Sequence, residues 1–438
     1  MRDPEHEQMP REKLKELQLE RLKKKVKQVY ESVPFYRQTF EKNGIKPDKI
    51  KTLQDLSSLP FTSKLDFKSH YPLGFLAVPM DQIVRIHSSS GTTDKPTIAA
   101  YTRGDIETWS EILARGLATA GMTRQDVFQN AFGYGLFTGG MGYHYGVERL
   151  GAIVIPAAAG NTRRQITLMQ DLGTTVLGCT PSYAWIIGET AQELGIDMRK
   201  TTKLRLAICG SEPSSEQMRQ EIQNKLGVEV FPDYGLTEAN GPGVSIECPQ
   251  HNGMHIPEDH FIPEVVDPST GEPLPEGEVG ELVLTTLTKE ACPVIRFRTR
   301  DITSLTYEPC KCGRTLARMS RVSGRTDDML KVRGVNVFPS QIENVLLKFD
   351  GVEPHYQIVV DRRESFSIKE LEIWVEVNEK LFSDQMQTMR NMEQRLRAHL
   401  ESVLGISTKI KLVAPKTLAR SEGKSKRVID RSALNNLK

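Results

Sequence analysis

The sequence has little of several things, and each shortage excludes a class of protein. Only six cysteines occur in 438 residues, too few for a disulfide scaffold but enough for one metal site. Charge of one sign is scarce too: 58 Lys and Arg stand against 56 Asp and Glu, a formal +2. A protein that neutralises many phosphates along a polymer carries more, so nucleic acid is not an expected partner. The opening residues MRDPEHEQMPREKLKE are charged and lack an apolar core, which argues against a secretory signal. Long hydrophobic runs are missing. The longest uncharged stretch, residues 127–147, holds six glycines among its polar groups, a pattern of a folded loop system and not of a bilayer span. No internal repeat or low-complexity tract stands out. What is left is an ordinary globular composition, 38% hydrophobic and 26% charged, with a cytoplasmic setting and no membrane as the expectation.

The chain reads as a large first part and a small last part. Leu14, Leu17, Leu22, Val26 and Val29 recur at helical steps over residues 11–30. The run Lys23-Lys24-Lys25 reads as the solvated face of that helix. From about 80 to 235 short β-rich runs (AIVIP, TTVLG, LRLAIC, VEVFP) alternate with helical stretches such as RRQITLMQDL and SSEQMRQEIQNKLG. Such alternation predicts an α/β fold with a mainly parallel sheet. Residues 255–322 turn β-rich. After a boundary near 322–330 come a short helix, a hairpin, a long helix and a strand, a compact α+β module of about 110 residues. The expected division is 1–325 and 326–438.

Six segments carry chemistry. His87-Ser-Ser-Ser-Gly-Thr-Thr-Asp-Lys-Pro-Thr97 follows a predicted strand and offers hydroxyls, backbone N–H groups and Lys95, the makings of an anion site. It is not the GxxxxGK[ST] loop. Tyr234-Gly-Leu-Thr-Glu238 also follows a strand, where α/β sheets bind ligands. Thr237 brings a hydroxyl, and Glu238 a hard oxygen suited to magnesium beside a phosphate. Gly210-Ser-Glu-Pro-Ser214 occupies a similar place. Arg296-Phe-Arg-Thr-Arg-Asp301 ends on a carboxylate able to accept from ribose hydroxyls. GRTDDMLKVRGVNVFPSQIE sits at the expected boundary, and SEGKSKRVID puts Lys424 on a loop near the C-terminus.

Together with SVPFYR at 32–37 and FGYGLFTGGMGYHYG at 132–146, these segments run from about residue 30 to 430. Their order and spacing resemble the adenylate-forming superfamily of acyl-CoA synthetases, firefly luciferase and nonribosomal peptide adenylation domains. Within it the chain is similar to the phenylacetate–coenzyme A ligase branch. The resemblance implies a large N-terminal adenylation domain, with mixed sheets and a β-rich subdomain, and a small mobile cap. It implies ATP-dependent activation of an aryl acid, phenylacetate first, to an acyl-adenylate, followed by transfer to coenzyme A. It further implies that Ser89, Ser90, Gly91, Thr92, Thr93 and Lys95 hold the ATP phosphates. Ser211, Glu212, Pro213, Asp233 and Tyr234 would frame adenine. Thr237 would meet the α-phosphate and Glu238 would bind Mg2+. Asp301 would hold the ribose with Arg325 close by, Asp327 would be the hinge, and Lys424 the adenylation lysine. Lys426 and Arg427 compete as a solvated basic tail. A homodimer is an expectation by analogy. Asp94 stands where the family loop usually has glycine, which bears on ATP affinity.

Phe128, Phe132, Tyr134, Phe137, Tyr143 and Tyr145 lie in the glycine-rich stretch, where glycines let backbone approach a flat ligand and rings meet rings. An aromatic core cluster is the plain alternative; the resemblance favours Phe132, Tyr134 and Phe137 as aryl-pocket walls. Cys310-Lys-Cys312 and Cys248-Pro-Gln-His251 make two close N/S pairs suited to a tetrahedral structural Zn2+ site, with His255 or His260 able to replace His251. Cys179, Cys209 and Cys292 read as strand-end or core positions. Alternative functions are a ligase for another acid or acceptor, such as indoleacetate, hydroxyphenylacetate or a carrier protein, and a non-catalytic nucleotide- or acyl-binding module.

Overall fold

A computed structural model describes residues 1–89, 95–332, 335–360, 371–382, 386–420 and 427–431. It divides into two compact units. One comprises Met1–Cys179, Asp197–Ser211 and Val228–Val322; the other comprises Thr180–Ile196, Glu212–Gly227 and Ser323–Lys438.

The first unit is built on a nine-stranded sheet among the described residues. From one edge its strands are Ile153–Ile155, Val127–Asn130, Val176–Cys179, Leu206–Cys209, Glu229–Leu236, Gly241–Glu247, Met254–His255, Arg318–Met319 and Leu305–Thr306. The first five are parallel neighbours and the rest antiparallel. All four predicted runs became parallel strands, and two of them, Val176–Cys179 and Leu206–Cys209, are buried throughout, as a strand covered by helices on both sides must be. The chain leaves Val127–Asn130 for the edge strand on one side, then returns to Val176–Cys179 on the other. That reversal opens a crevice at the carboxyl ends of the strands, the usual ligand position in such sheets. Cys179 and Cys209 end their strands and are buried, as is Cys292.

The uncharged stretch at 127–147 divides into strand Val127–Asn130, a loop, and helix Thr138–Leu150. No helix among the described residues is long and apolar enough to cross a membrane. Two of its glycines serve helix packing and not a ligand. A Cβ at Gly142 would lie 2.5 Å from Trp109 Cζ2, and one at Gly146 2.8 Å from Leu113 Cγ, so helix Arg103–Thr119 can approach only glycine there. Phe128, Phe132, Tyr143, Val147 and Leu113 fill the layer between these helices and the sheet.

Strands Ile83–Ser88 and Ile98–Thr102 pair antiparallel, with the Ser/Thr/Lys segment between them in the sequence. A second sheet pairs Phe261–Val266, Gly280–Thr286 and Phe297–Thr303 antiparallel.

Helix Arg11–Ser32 buries Leu14, Gln18, Leu22, Lys25, Val26 and Val29; Lys23 and Lys24 are exposed as expected, but the reading of Lys25 as solvated is corrected. Lys25 sits three residues after Leu22 and four before Val29, so the helical period turns it inward. Its Nζ donates to Gln28 Oε1 at 2.7 Å and to the Lys289 carbonyl. Burial lowers its pKa to about 8, against the pull of Asp105 and Glu290.

In the second unit Leu371–Val377 pairs antiparallel with Val352–Val360, and Lys409–Val413 and Val428–Asp430 flank them in parallel. Helices Pro339–Leu346 and Met386–Leu404 close a core of Ile342, Leu346, Ile358, Ile373, Leu396 and Leu400. Helices Pro181–Glu193 and Glu216–Leu226 belong to this unit.

Candidate functional site

Several anticipated residues collect at the carboxyl ends of the parallel strands. Asp233 and Tyr234 lie within Glu229–Leu236, and Thr237 and Glu238 follow it directly. Asp233 is buried. Its Oδ2 accepts from Tyr143 Oη at 2.6 Å and its Oδ1 from Gly243 N at 3.0 Å. Burial pushes its pKa up to about 7, more than those two hydrogen bonds bring it down. Tyr143 therefore has a second task beyond the core: it orients the Asp233 carboxyl, a pairing 90 residues apart that sequence reading did not reach.

Tyr234 Oη donates to Asp301 Oδ2 at 2.7 Å, joining the main sheet to strand Phe297–Thr303. Two residues with side chains adopt left-handed backbone next to this group, Ser211 at φ +72° and Arg300 at φ +70°. Such conformations cost energy and persist where the surroundings hold them. Thr237 and Glu238 are buried. Lys289, itself buried, donates to the Glu238 carbonyl at 3.4 Å and lies over the Tyr101 ring.

Just beyond the two paired strands, Ser89 Oγ accepts from Thr97 N at 3.1 Å, and Ser89 N donates to the Thr97 carbonyl at 2.9 Å. Lys95 is exposed, 5.7 Å from the Tyr71 ring centroid. Ser90, Gly91, Thr92, Thr93, Asp94, Lys424 and Lys426 lie outside the described residues.

The aromatic stretch splits in two. Phe128, Phe132 and Tyr143 are buried and stacked, Phe132 on Tyr143 at 4.6 Å. Tyr134 and Phe137 are half-buried before helix Thr138–Leu150. Tyr134 Oη accepts from Asn130 Nδ2 at 2.8 Å and lies 3.2 Å from His144 Nδ1. Tyr145 lies under the Arg85 guanidinium.

In the second unit, Glu212 Oε2 accepts from Ser182 Oγ at 2.7 Å, and Pro213 is exposed. Arg325 makes a two-point pair with Asp327, Nε–Oδ1 2.9 Å and Nη2–Oδ2 3.1 Å. Arg427 packs over the Tyr356 ring and donates to the Pro354 carbonyl. It is therefore not a solvated charge.

The sulfur ligands converge with His255 and not with His251. Cys248, His255, Cys310 and Cys312 bring one ligand atom each to within 4.8 Å of one another. Cys248 Sγ and Cys310 Sγ are 3.8 Å apart, and Cys312 Sγ is 3.4 Å from His255 Nε2. A tetrahedral zinc with Zn–S of about 2.3 Å needs sulfurs about 3.8 Å apart, so the donor set fits zinc. His251 is drawn elsewhere. Its backbone turns at φ +48°, its ring stacks on Phe231, and Nδ1 and Nε2 each reach a carboxylate at 2.8 Å, Glu247 and Glu229. His255 takes its place because its strand pairs with Gly241–Glu247, with Ile246 opposite His255. Its Nδ1 is buried with no hydrogen-bond partner in the structure, while Nε2 faces Cys312. Burial raises the Cys312 thiol, but hydrogen bonds from His255 and Arg314 outweigh it and bring it to about 5. Burial pushes Cys248 up to about 12.

Residues 7–287 match the family model for the AMP-binding enzyme, and residues 334–432 that for the AMP-binding enzyme C-terminal domain. The chain is 48% identical to a phenylacetate-coenzyme A ligase of Thermus thermophilus, covering 98% of this chain and 99% of that protein. It is 47% identical to a phenylacetate-coenzyme A ligase of Escherichia coli, covering 96% and 95%. Among solved structures, 2-hydroxyisobutyryl-CoA ligase in the postadenylation state with 2-HIB-AMP is similar at 30% identity and TM-score 0.92, covering 99% of this chain and 93% of that one. The same ligase with 2-HIB-AMP and CoA in the thioesterification state gives TM-score 0.72 at 30% identity, covering 99% and 94%.

Proposed function

The chain belongs to the AMP-binding enzyme family, in the company of phenylacetate–coenzyme A ligases, and on that premise we propose that it joins an aryl acid, phenylacetate first, to coenzyme A with ATP cleaved to AMP and pyrophosphate. The observation that carries the reading is the near-full-length identity of 43–48% to four phenylacetate-coenzyme A ligases.

In the first step the acid's carboxylate attacks the α-phosphorus of ATP and pyrophosphate leaves. Two anions meet, so the site must supply cations and donors where charge builds. Lys424 supplies the cation at the carboxylate and α-phosphate, and Thr237 a hydroxyl. The segment Ser89, Ser90, Gly91, Thr92, Thr93 and Lys95 receives the β- and γ-phosphates. Glu238 would hold Mg2+, which when bound neutralises phosphate charge; a buried carboxylate beside the sheet's carboxyl ends suits a hard cation. Asp301 accepts from the ribose hydroxyls, oriented by Tyr234. Ser211, Glu212, Pro213, Asp233 and Tyr234 frame adenine. Phe132, Tyr134 and Phe137 wall the acid.

In the second step the thiol of coenzyme A attacks the acyl carbonyl and AMP leaves. The two steps need different groups in place, and a hinge at Asp327 between 1–325 and 326–438 would exchange them. Cys248, His255, Cys310 and Cys312 would hold a structural zinc.

Pyrophosphate release, measured with ATP and phenylacetate, indoleacetate, hydroxyphenylacetate or 2-hydroxyisobutyrate, each with and without coenzyme A, tests the reading. Aryl-acid-dependent release and a thioester that forms only with coenzyme A are expected. Release without thioester would point to another acceptor, and no release with any acid to a binding module.

A further inference from the structure

His87 stands at the meeting point of three segments to which the proposed function gives separate tasks. It is the penultimate residue of strand Ile83–Ser88, just before the Ser/Thr/Lys segment. The Leu136 carbonyl, one residue before Phe137 in the proposed acid pocket, takes two donors from that strand. They are Ser88 N at 2.8 Å and His87 Nδ1 at 3.0 Å. Since the partner is a carbonyl, Nδ1 must carry the proton. The His87 ring stands edge-on to Tyr101 and Trp109, at 5.4 and 5.9 Å. These two in turn hold the segment after Glu238: Tyr101 Oη donates to the Asn240 carbonyl at 3.3 Å, and Trp109 Nε1 to the Pro242 carbonyl at 3.0 Å.

His87 is 2% exposed and its Nε2 is buried without a hydrogen-bond partner. An unpaired buried nitrogen is a cost that a phenylalanine of similar shape avoids. What histidine adds here, and phenylalanine cannot, is the Nδ1 donor to Leu136. Burial, only partly offset by that hydrogen bond, lowers the His87 pKa.

We propose that His87 is a positioning residue that couples the acid pocket to the ATP phosphate subsite through the Leu136 carbonyl, so that filling either subsite favours filling the other. The coupling rests on the proposed acid-activating function and assigns His87 no contact with substrate.

Four enzymes test it: wild type, H87F, H87N and H87Q. H87F keeps an aromatic ring against Tyr101 and Trp109 and removes the donor. H87N removes the ring and keeps an amide N–H near the Nδ1 position. H87Q carries its amide out toward the Nε2 position. Wild-type pyrophosphate release with phenylacetate is measured first and judges the functional reading alone. In wild type, saturating acid should lower the apparent KM for ATP. H87F should abolish that dependence and lower kcat/KM for the acid about tenfold, the scale of one net hydrogen bond. H87N should stay within about threefold of wild type in kcat/KM and keep the dependence, even with a lower melting temperature. If H87F does not fold, H87N against H87Q decides, with only H87Q expected to lose the dependence. An active wild type whose ATP dependence on acid survives in H87F, or in H87Q where H87F is lost, overturns the proposal. So does a loss across all variants that simply tracks melting temperature.

Discussion

One sheet carries two clusters of polar residues, and they are built on opposite plans. At the carboxyl ends of its parallel strands stand Asp233, Tyr234, Thr237 and Glu238. On its antiparallel half, Cys248, His255, Cys310 and Cys312 close on one another within 4.8 Å. The sulfur cluster directs its ligand atoms inward at one point, which is the geometry of a structural metal site. The other group is spread along strand ends and loops. It includes a carboxyl whose pKa burial pushes up to about 7 and the buried Glu238 beside a buried lysine. Groups held in that condition are poised for a ligand that brings its own charge. Under the proposed function, the difference separates what the two halves are for: one would stabilise the fold, the other would work on a substrate.

Substitutions can break this contrast. The largest effect is expected from Lys424→Ala. Acyl-adenylate formation should fall about a thousandfold, the scale of removing a preorganised group that meets developing charge. Thioester formation from supplied acyl-adenylate should be nearly unchanged. Single-turnover assays of each half-reaction check this, and equal loss in both would sink the assignment. Next comes Cys310→Ser. It should cost on the order of 4 kcal/mol of stability, as the loss of a metal site does, and release zinc. Denaturant midpoints and metal analysis read it, and an unchanged zinc content would refute the site. Asp301→Ala should raise the KM for ATP about 10- to 100-fold, from lost hydrogen bonds to a charged group, with the melting temperature little changed. Steady-state kinetics at varied ATP tests that.

The smallest effect sharpens the contrast by pH. The folded Asp233 carboxyl holds its proton up to about 7, whereas the unperturbed value is 3.8. Between those values the folded chain binds more protons than the unfolded one, so this group's contribution to stability falls as pH rises through that window. Asp233→Asn should flatten the slope by up to about 1.4 kcal/mol per pH unit. Denaturation of the ligand-free protein between pH 4.5 and 7.5 measures it, and an unaltered slope would show that another group titrates there.

Much of this was legible in the sequence because local pattern and fold agreed. Apolar runs between helical stretches marked the parallel strands, and the α/β class followed. The hairpin, helix and strand of the last 110 residues or so could be read from periodicity in the same way. The misses came where neighbours far apart in sequence decide. His251 had the right spacing from Cys248, but Phe231, Glu229 and Glu247 claim its ring. His255 was favoured by strand pairing, which spacing does not reveal. Lys25 was hidden in a charge run although its helical phase matched Leu22 and Val29. Tyr143 and His87 were visible only as an aromatic and a loop residue, because their partners Asp233 and Leu136 are fixed by tertiary packing.

Under the proposed function the enzyme activates an acid before any thiol is present. Exchange of labelled pyrophosphate into ATP, with phenylacetate and without coenzyme A, tests it most directly. Acid-dependent exchange is expected, with phenylacetyl thioester and AMP forming only once coenzyme A is added. Absence of exchange with every aryl acid would contradict it.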